Sequence, residues 1–156
     1  MKKILFTIAL MATGLPGFSQ DTTGNASGLL PHYYNLKNAL VAGDAASAAA
    51  NAEQLLQTLN TIDYKVISEG SINALLKDAT ALSSTKDLKK QRTLFANLSR
   101  NLSAVAASVR LTARPVYKLY CPMKGAYWLS AEKAVQNPYY GSSMLTCGQV
   151  VATLQP

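Results

Sequence analysis

Between residues 29 and 110 the apolar side chains return every three or four positions, and this regularity restricts the fold more than any other feature of the chain. Such spacing lines apolar groups along one stripe of a 3.6-residue helix, and the stripe needs a partner to bury it. Leu29, Tyr33, Leu36 and Leu40 mark a first helix over about 29–41, with Gly43 suited to a left-handed exit and Asp44 to the next cap. The second, about 45–59, is alanine-rich, and its stripe of Ala45, Ala48, Ala52, Leu55 and Leu59 permits close helix approach. The third begins after Ser68 or Ser71, uses Ile72, Leu75, Leu76, Ala79 and Leu82, and ends at Ser83-Ser84-Thr85. In the fourth, Leu88, Phe95, Leu98, Leu102, Val105 and Val109 keep the four-and-three spacing of antiparallel packing, and Pro115 forbids continuation. The sequence therefore predicts an all-α fold: an up-and-down four-helix bundle over about 29–112.

Both flanks differ in texture. Residues 1–19 have the parts of a cleaved secretory signal: Lys2 and Lys3, an apolar run over 4–12, a Pro16-Gly17 break, and small Gly17 and Ser19 before the expected cut. The expected protein is periplasmic or secreted, with no transmembrane segment after cleavage, because no other run approaches the roughly 18–20 apolar residues a span requires. Residues 20–28 read as a flexible tail with almost nothing to bury. The full chain carries +7; removing two of its 15 basic residues with the signal leaves 13 against 8 acidic, or +5. These charges are scattered, and an exported chain meets little nucleic acid, so no nucleic-acid partner is expected.

Beyond Pro115, residues 116–154 are rich in Tyr, Trp, Gly and Pro and show no long period. The expectation is an irregular aromatic segment packed on the bundle, the whole of 29–154 forming one domain. Ser130 is placed to cap a short helix over 131–136, and Ser142 to start a single turn in which Met144 and Cys147 face the same way.

This segment holds the two cysteines of the chain, Cys121 and Cys147, each within three residues of a methionine, Met123 or Met144. Thiolate and thioether sulfur are soft donors that prefer Cu(I) and Ag(I) to Mg²⁺ or Ca²⁺, and Zn²⁺ asks for four nitrogen or thiolate donors not present there. Cys121, Met123, Met144 and Cys147 are thus candidate metal ligands, and His32, the sole histidine, is a fifth if the segment folds over the start of the first helix. The same two cysteines in an oxidising compartment equally suit a Cys121–Cys147 disulfide. Lys118, Lys124 and Lys133 surround the sulfurs and would favour the thiolate form. Gln91 and Arg92 are expected to anchor the segment through its carbonyls, and Asn137-Pro138 and Gly141 to shape its turns.

Several stretches also carry a resemblance. Tyr120-Cys121-Pro122-Met123, Trp128-Leu129-Ser130, Asn137-Pro138-Tyr139-Tyr140-Gly141 and Met144-Leu145-Thr146-Cys147-Gly148, with Gln91-Arg92 and residues 95–99, resemble the signature of a bacterial periplasmic family of unknown function. That family occurs alone and as a C-terminal extension on membrane-fusion subunits of copper and silver efflux pumps. The resemblance spans about 29–154. It implies an independent accessory protein of heavy-metal homeostasis, with an efflux membrane-fusion protein or another envelope protein as partner.

No enzyme is expected. The chain offers one histidine, no paired carboxylates, no Cys-x-x-Cys, no phosphate loop and no nucleophile elbow. Its residues point to an exported Cu(I)/Ag(I) binding or carrier protein, or alternatively to a metal-free interaction module stapled by the disulfide.

Overall fold

The structure, a computed structural model, describes residues 24–155. The expected signal peptide and the first part of the expected tail lie outside the described residues. Four α-helices follow one another: α1 Leu29–Ala42, α2 Ala45–Leu59, α3 Glu69–Ser83 and α4 Leu88–Ser108. Their limits fall where the sequence places its breaks. Gly43 leaves α1 at φ +78°, a left-handed conformation that costs glycine nothing. Asp44, Ser68 and Asp87 each accept a backbone N–H of the first helical turn, from Ser47, Ser71 and Lys90.

The tail reading is corrected at its end. Residues Gly24–Gly28 form a 3-10 helix, and Ala26 within it is completely buried. One small apolar side chain fits against α1 and α2, where a run of polar residues would have had nothing to gain.

The larger correction concerns fold class, which is α+β and not all-α. After α4 the chain forms β1 Val116–Cys121, β2 Ala126–Ser130 and β3 Gln149–Leu154, an antiparallel sheet ordered β2-β1-β3. No helix forms over 131–136: Ser130 ends β2, and its hydroxyl accepts the Glu132 N–H in a bend. The short turn expected near Ser142 does form, as a 3-10 helix over Gly141–Met144. The β1–β2 hairpin sets Cys121 opposite Ala126 and Leu119 opposite Trp128, and the turn between closes through Gly125 N–H to Cys121 C=O at 2.9 Å. The β1–β3 ladder carries a bulge between Lys118 and Leu119.

The helices pack mainly on their chain neighbours, while α1 and α4 touch sparsely and the sheet lies against α4 through β2. Large side chains close the seam. Tyr33 of α1 stacks on Phe95 of α4 with centroids 5.2 Å apart, and Tyr139 meets both Phe95 and Trp128 at 5.9 and 6.1 Å. The buried Tyr33 hydroxyl lies 2.7 Å from Ser99 Oγ and accepts the Leu129 N–H at 3.1 Å, tying α1, α4 and β2 together.

Replacing Tyr33 with phenylalanine keeps the ring but orphans the Leu129 N–H in a dry site, which costs roughly 1–3 kcal/mol. The expected outcome is a lower urea midpoint with an unchanged m-value. A midpoint within error of the parent would show that the hydroxyl does not join the layers.

Candidate functional site

Cys121 ends β1, on the same face as Leu119, and the alternation of the strand turns both toward the helices. The residue is completely buried. Cys147 lies between the 3-10 helix and β3, half-buried, and both cysteines are free thiols. Twenty-odd residues separate them along the chain, yet the fold brings them side by side through one residue.

That residue is Asn137, fully buried. Its Nδ2 donates to Cys121 Sγ at 3.2 Å and to the Cys147 carbonyl at 2.7 Å, while Oδ1 accepts the Tyr139 N–H at 2.8 Å. The partners fix the amide orientation, since a carbonyl needs a donor and an N–H an acceptor. The backbone of Asn137 is engaged as well: its N–H donates to Leu145 C=O at 2.8 Å and its C=O accepts from Gly141 at 2.9 Å. The loop leading to Cys147 is therefore clamped at both ends. At Gly148 (φ +152°) the chain crosses the indole of Trp128 so closely that a Cβ would stand 2.6 Å from Cη2 and 3.0 Å from Tyr120 O. Any other residue there would force the indole or the chain at 148 to shift.

The methionines lie at the surface. Met144 is 38 % exposed and its carbonyl accepts the Cys147 N–H at 3.1 Å; Met123 is 63 % exposed in the hairpin turn, with its carbonyl accepting from the Tyr140 hydroxyl at 3.3 Å. His32 belongs elsewhere. Its neighbour Pro31 lines a cavity with Pro115 and Ala131, and Leu30 one with Val116, so the first turn of α1 faces the opposite end of the hairpin. Val116 and Cys121 stand about 16 Å apart along β1. Among the described residues, no three His, Cys, Asp or Glu side chains cluster.

Two of the three lysines near the thiols in sequence are engaged elsewhere. Lys118 Nζ sits over the Tyr127 ring at 4.4 Å and Lys133 over Tyr117 at 5.6 Å. Burial pushes the Cys147 thiol pKa up, and the neighbouring Cys121 adds to the rise by charge and hydrogen bonding. Gln91 and Arg92 also differ from expectation. Gln91 Nε2 donates to Ala45 and Thr85 carbonyls, and Arg92 Nη2 to Leu40, so both hold the helices together, not the C-terminal segment.

Sequence reasoning cast Asn137 as a turn former and missed its side chain. No sequence signal marked that side chain, because Gln136-Asn137-Pro138 reads as an ordinary polar turn.

With this geometry in view, comparison with known proteins gives one match. A family described as "Protein of unknown function (DUF3347)" covers residues 29–113, more than half of the chain. The chain belongs to this family. The matched stretch of the DUF3347 chain holds all four helices and ends before β1, so both cysteines and Asn137 lie beyond it. No curated protein and no solved structure matches.

Two outcomes test the site. Iodoacetamide attacks the thiolate, so a raised pKa delays the reaction of Cys147 to higher pH than that of an ordinary exposed thiol near 8.5. Cys121→Ser removes one of the two causes and is expected to bring that midpoint down part of the way; an unchanged or higher midpoint would contradict the pairing. Asn137→Leu leaves the Cys147 carbonyl and Tyr139 N–H unpartnered, a loss of roughly 2–4 kcal/mol, and opens Cys121 to alkylation under native conditions.

Proposed function

We propose that this chain is an exported carrier of Cu(I) or Ag(I), accessory to heavy-metal efflux or homeostasis, with the metal as its cargo. One observation carries the reading: a buried amide holds the two cysteines together while the two methionines beside them stay open to solvent. Two thiolates plus a thioether satisfy the low coordination number and soft preference of a monovalent coinage metal. Asn137 supports the fit, since an N–H aimed at sulfur orients a ligating thiolate and spreads its charge. Cys121 and Cys147 would be the firm ligands, Met144 the third, and Met123 a donor that meets incoming metal. His32 is left out on its position.

A second reading rests on the same juxtaposition. Paired thiols in an oxidising compartment form a disulfide, which would make this a metal-free module stapled from β1 to the approach of β3. The partner, in either case, is an envelope protein, and the efflux association comes from the sequence resemblance.

An anaerobic Cu(I) titration of the reduced protein against a competing chelator separates the two. The carrier reading expects one metal per chain, affinity lower by about 100-fold or more in Cys121→Ser, and lower by roughly 10–100-fold in Asn137→Leu. Absence of competition by the reduced protein, together with a large loss of stability on reduction of the protein as isolated, would establish the stapled module instead.

A further inference from the structure

A groove runs along the outward side of α4 where the hairpin overhangs it. One part is a cavity of about 540 Å³ with Arg100 on the helix, Lys118 and Lys124 on the hairpin, and Tyr127 between them. The other, about 530 Å³, adds Lys89 and Arg92 from the first turns of α4, with Tyr139 and Tyr140 opposite. Lys124 lines both, so the two are neighbours along the same helix. The helix residues involved recur at three and four positions from Leu88 to Ala107, a single face about 28 Å long.

Its chemistry has one sign. Five cations line the groove and no Asp or Glu does, although the full chain has eight acidic residues to place. Lys118 is spent partly on the Tyr127 ring, but Lys124, Lys89 and Arg100 are exposed. Arg92 donates one Nη2 bond to Leu40, whereas its buried Nε has no hydrogen-bond partner. The helix side of the first cavity is otherwise made of small residues, Ala96, Ala104 and Ala107 with Ser103, whose hydroxyl is turned back to the Ser99 carbonyl.

We propose that this groove docks an acidic, extended segment of a partner protein, its carboxylates meeting the cations and its intervening small side chains resting on the alanines. A cleft walled by a helix and a hairpin admits a single chain, about eight or nine extended residues over its length. A flat anionic bilayer cannot follow that concavity, and a lone phosphate would leave the alanine floor unused. Clustered charge of one sign in a cleft also focuses field and speeds encounter with an opposite partner. The proposal stands apart from the copper reading, since none of the groove residues is a sulfur ligand. It does place a docked partner beside Met123, which precedes Lys124 in the same turn.

The test uses a fluorescent ten-residue peptide alternating Glu and Val, the same peptide with Gln for Glu, and phosphatidylglycerol vesicles, all titrated with the intact protein. Saturable binding of the Glu peptide is expected, with little binding of the Gln peptide. The variant Arg100→Glu/Lys124→Glu should lose at least tenfold in affinity, and Arg100→Gln/Lys124→Gln an intermediate amount. A Lys65→Glu/Lys77→Glu control of equal net charge, at exposed positions that line neither cavity, should lose clearly less than the groove variant at physiological salt, where screening weakens charges that do not touch the peptide. Circular dichroism and melting of each variant confirm folding. Cys121→Ser should bind the peptide like the parent, so failure of the metal site and failure of the groove are told apart. Equal losses in the groove and control variants, no Glu-peptide binding, or vesicle binding that alone depends on Arg100 and Lys124 would overturn the proposal.

Discussion

The two layers of this protein meet at the hydroxyl of Tyr33. That oxygen accepts the Leu129 N–H and shares a hydrogen bond with Ser99 Oγ, so a hydrogen-bond chain passes from β2 through α1 to α4. Burial raises the Tyr33 pKa well above its ordinary value, which keeps the phenol protonated at neutral pH. The seam where α1 and α4 touch sparsely becomes the landing site of the sheet. Register follows from it: a slip of β2 by one residue would carry Trp128 and Leu129, both fully buried, to the wrong faces.

The helices were legible because each carries its own instruction. The stripe of Leu29 to Leu40 is buried as read, that of Ala45 to Leu59 is buried from Ala48 onward, and Gly43 and Asp44 mark boundaries by local chemistry alone, whereas α4 ends at Ser108, before Pro115 is reached. The strands were hidden by composition. Val116 to Cys121 has the aromatic and branched residues of a strand, but its burial does not alternate cleanly, since a bulge interrupts the pairing and both hairpin faces hold tyrosines. Gln149 to Leu154 is mostly exposed on both faces, so no period-two pattern was there to read. In each case the residues suit a strand, and what was missing was the alternation that would have announced one.

Half of the candidate site was legible for a similar reason. Cysteine and methionine announce their chemistry by residue type, and the fold does bring Cys121 and Cys147 together. What residue type cannot show is depth or distance. His32 was a candidate by identity and lies at the far end of the hairpin, and Lys118 and Lys133, near the cysteines in sequence, sit over tyrosine rings in space. Asn137 was invisible because its role is to satisfy three unlike partners at once, which exists only after the loop has closed.

Depth is what gives the proposed site a direction. Exposure falls from Met123 at 63 % through Met144 at 38 % to the half-buried Cys147 and the fully buried Cys121. A soft cation exchanging one sulfur at a time would move down this gradient from weak neutral donors to strong anionic ones, and back out when a partner offers thiolates of its own. Two thiolates around one monovalent ion leave a net negative charge, and burial alone would disfavour it. The Asn137 amide meets that charge directly, and the cationic groove begins one residue beyond Met123.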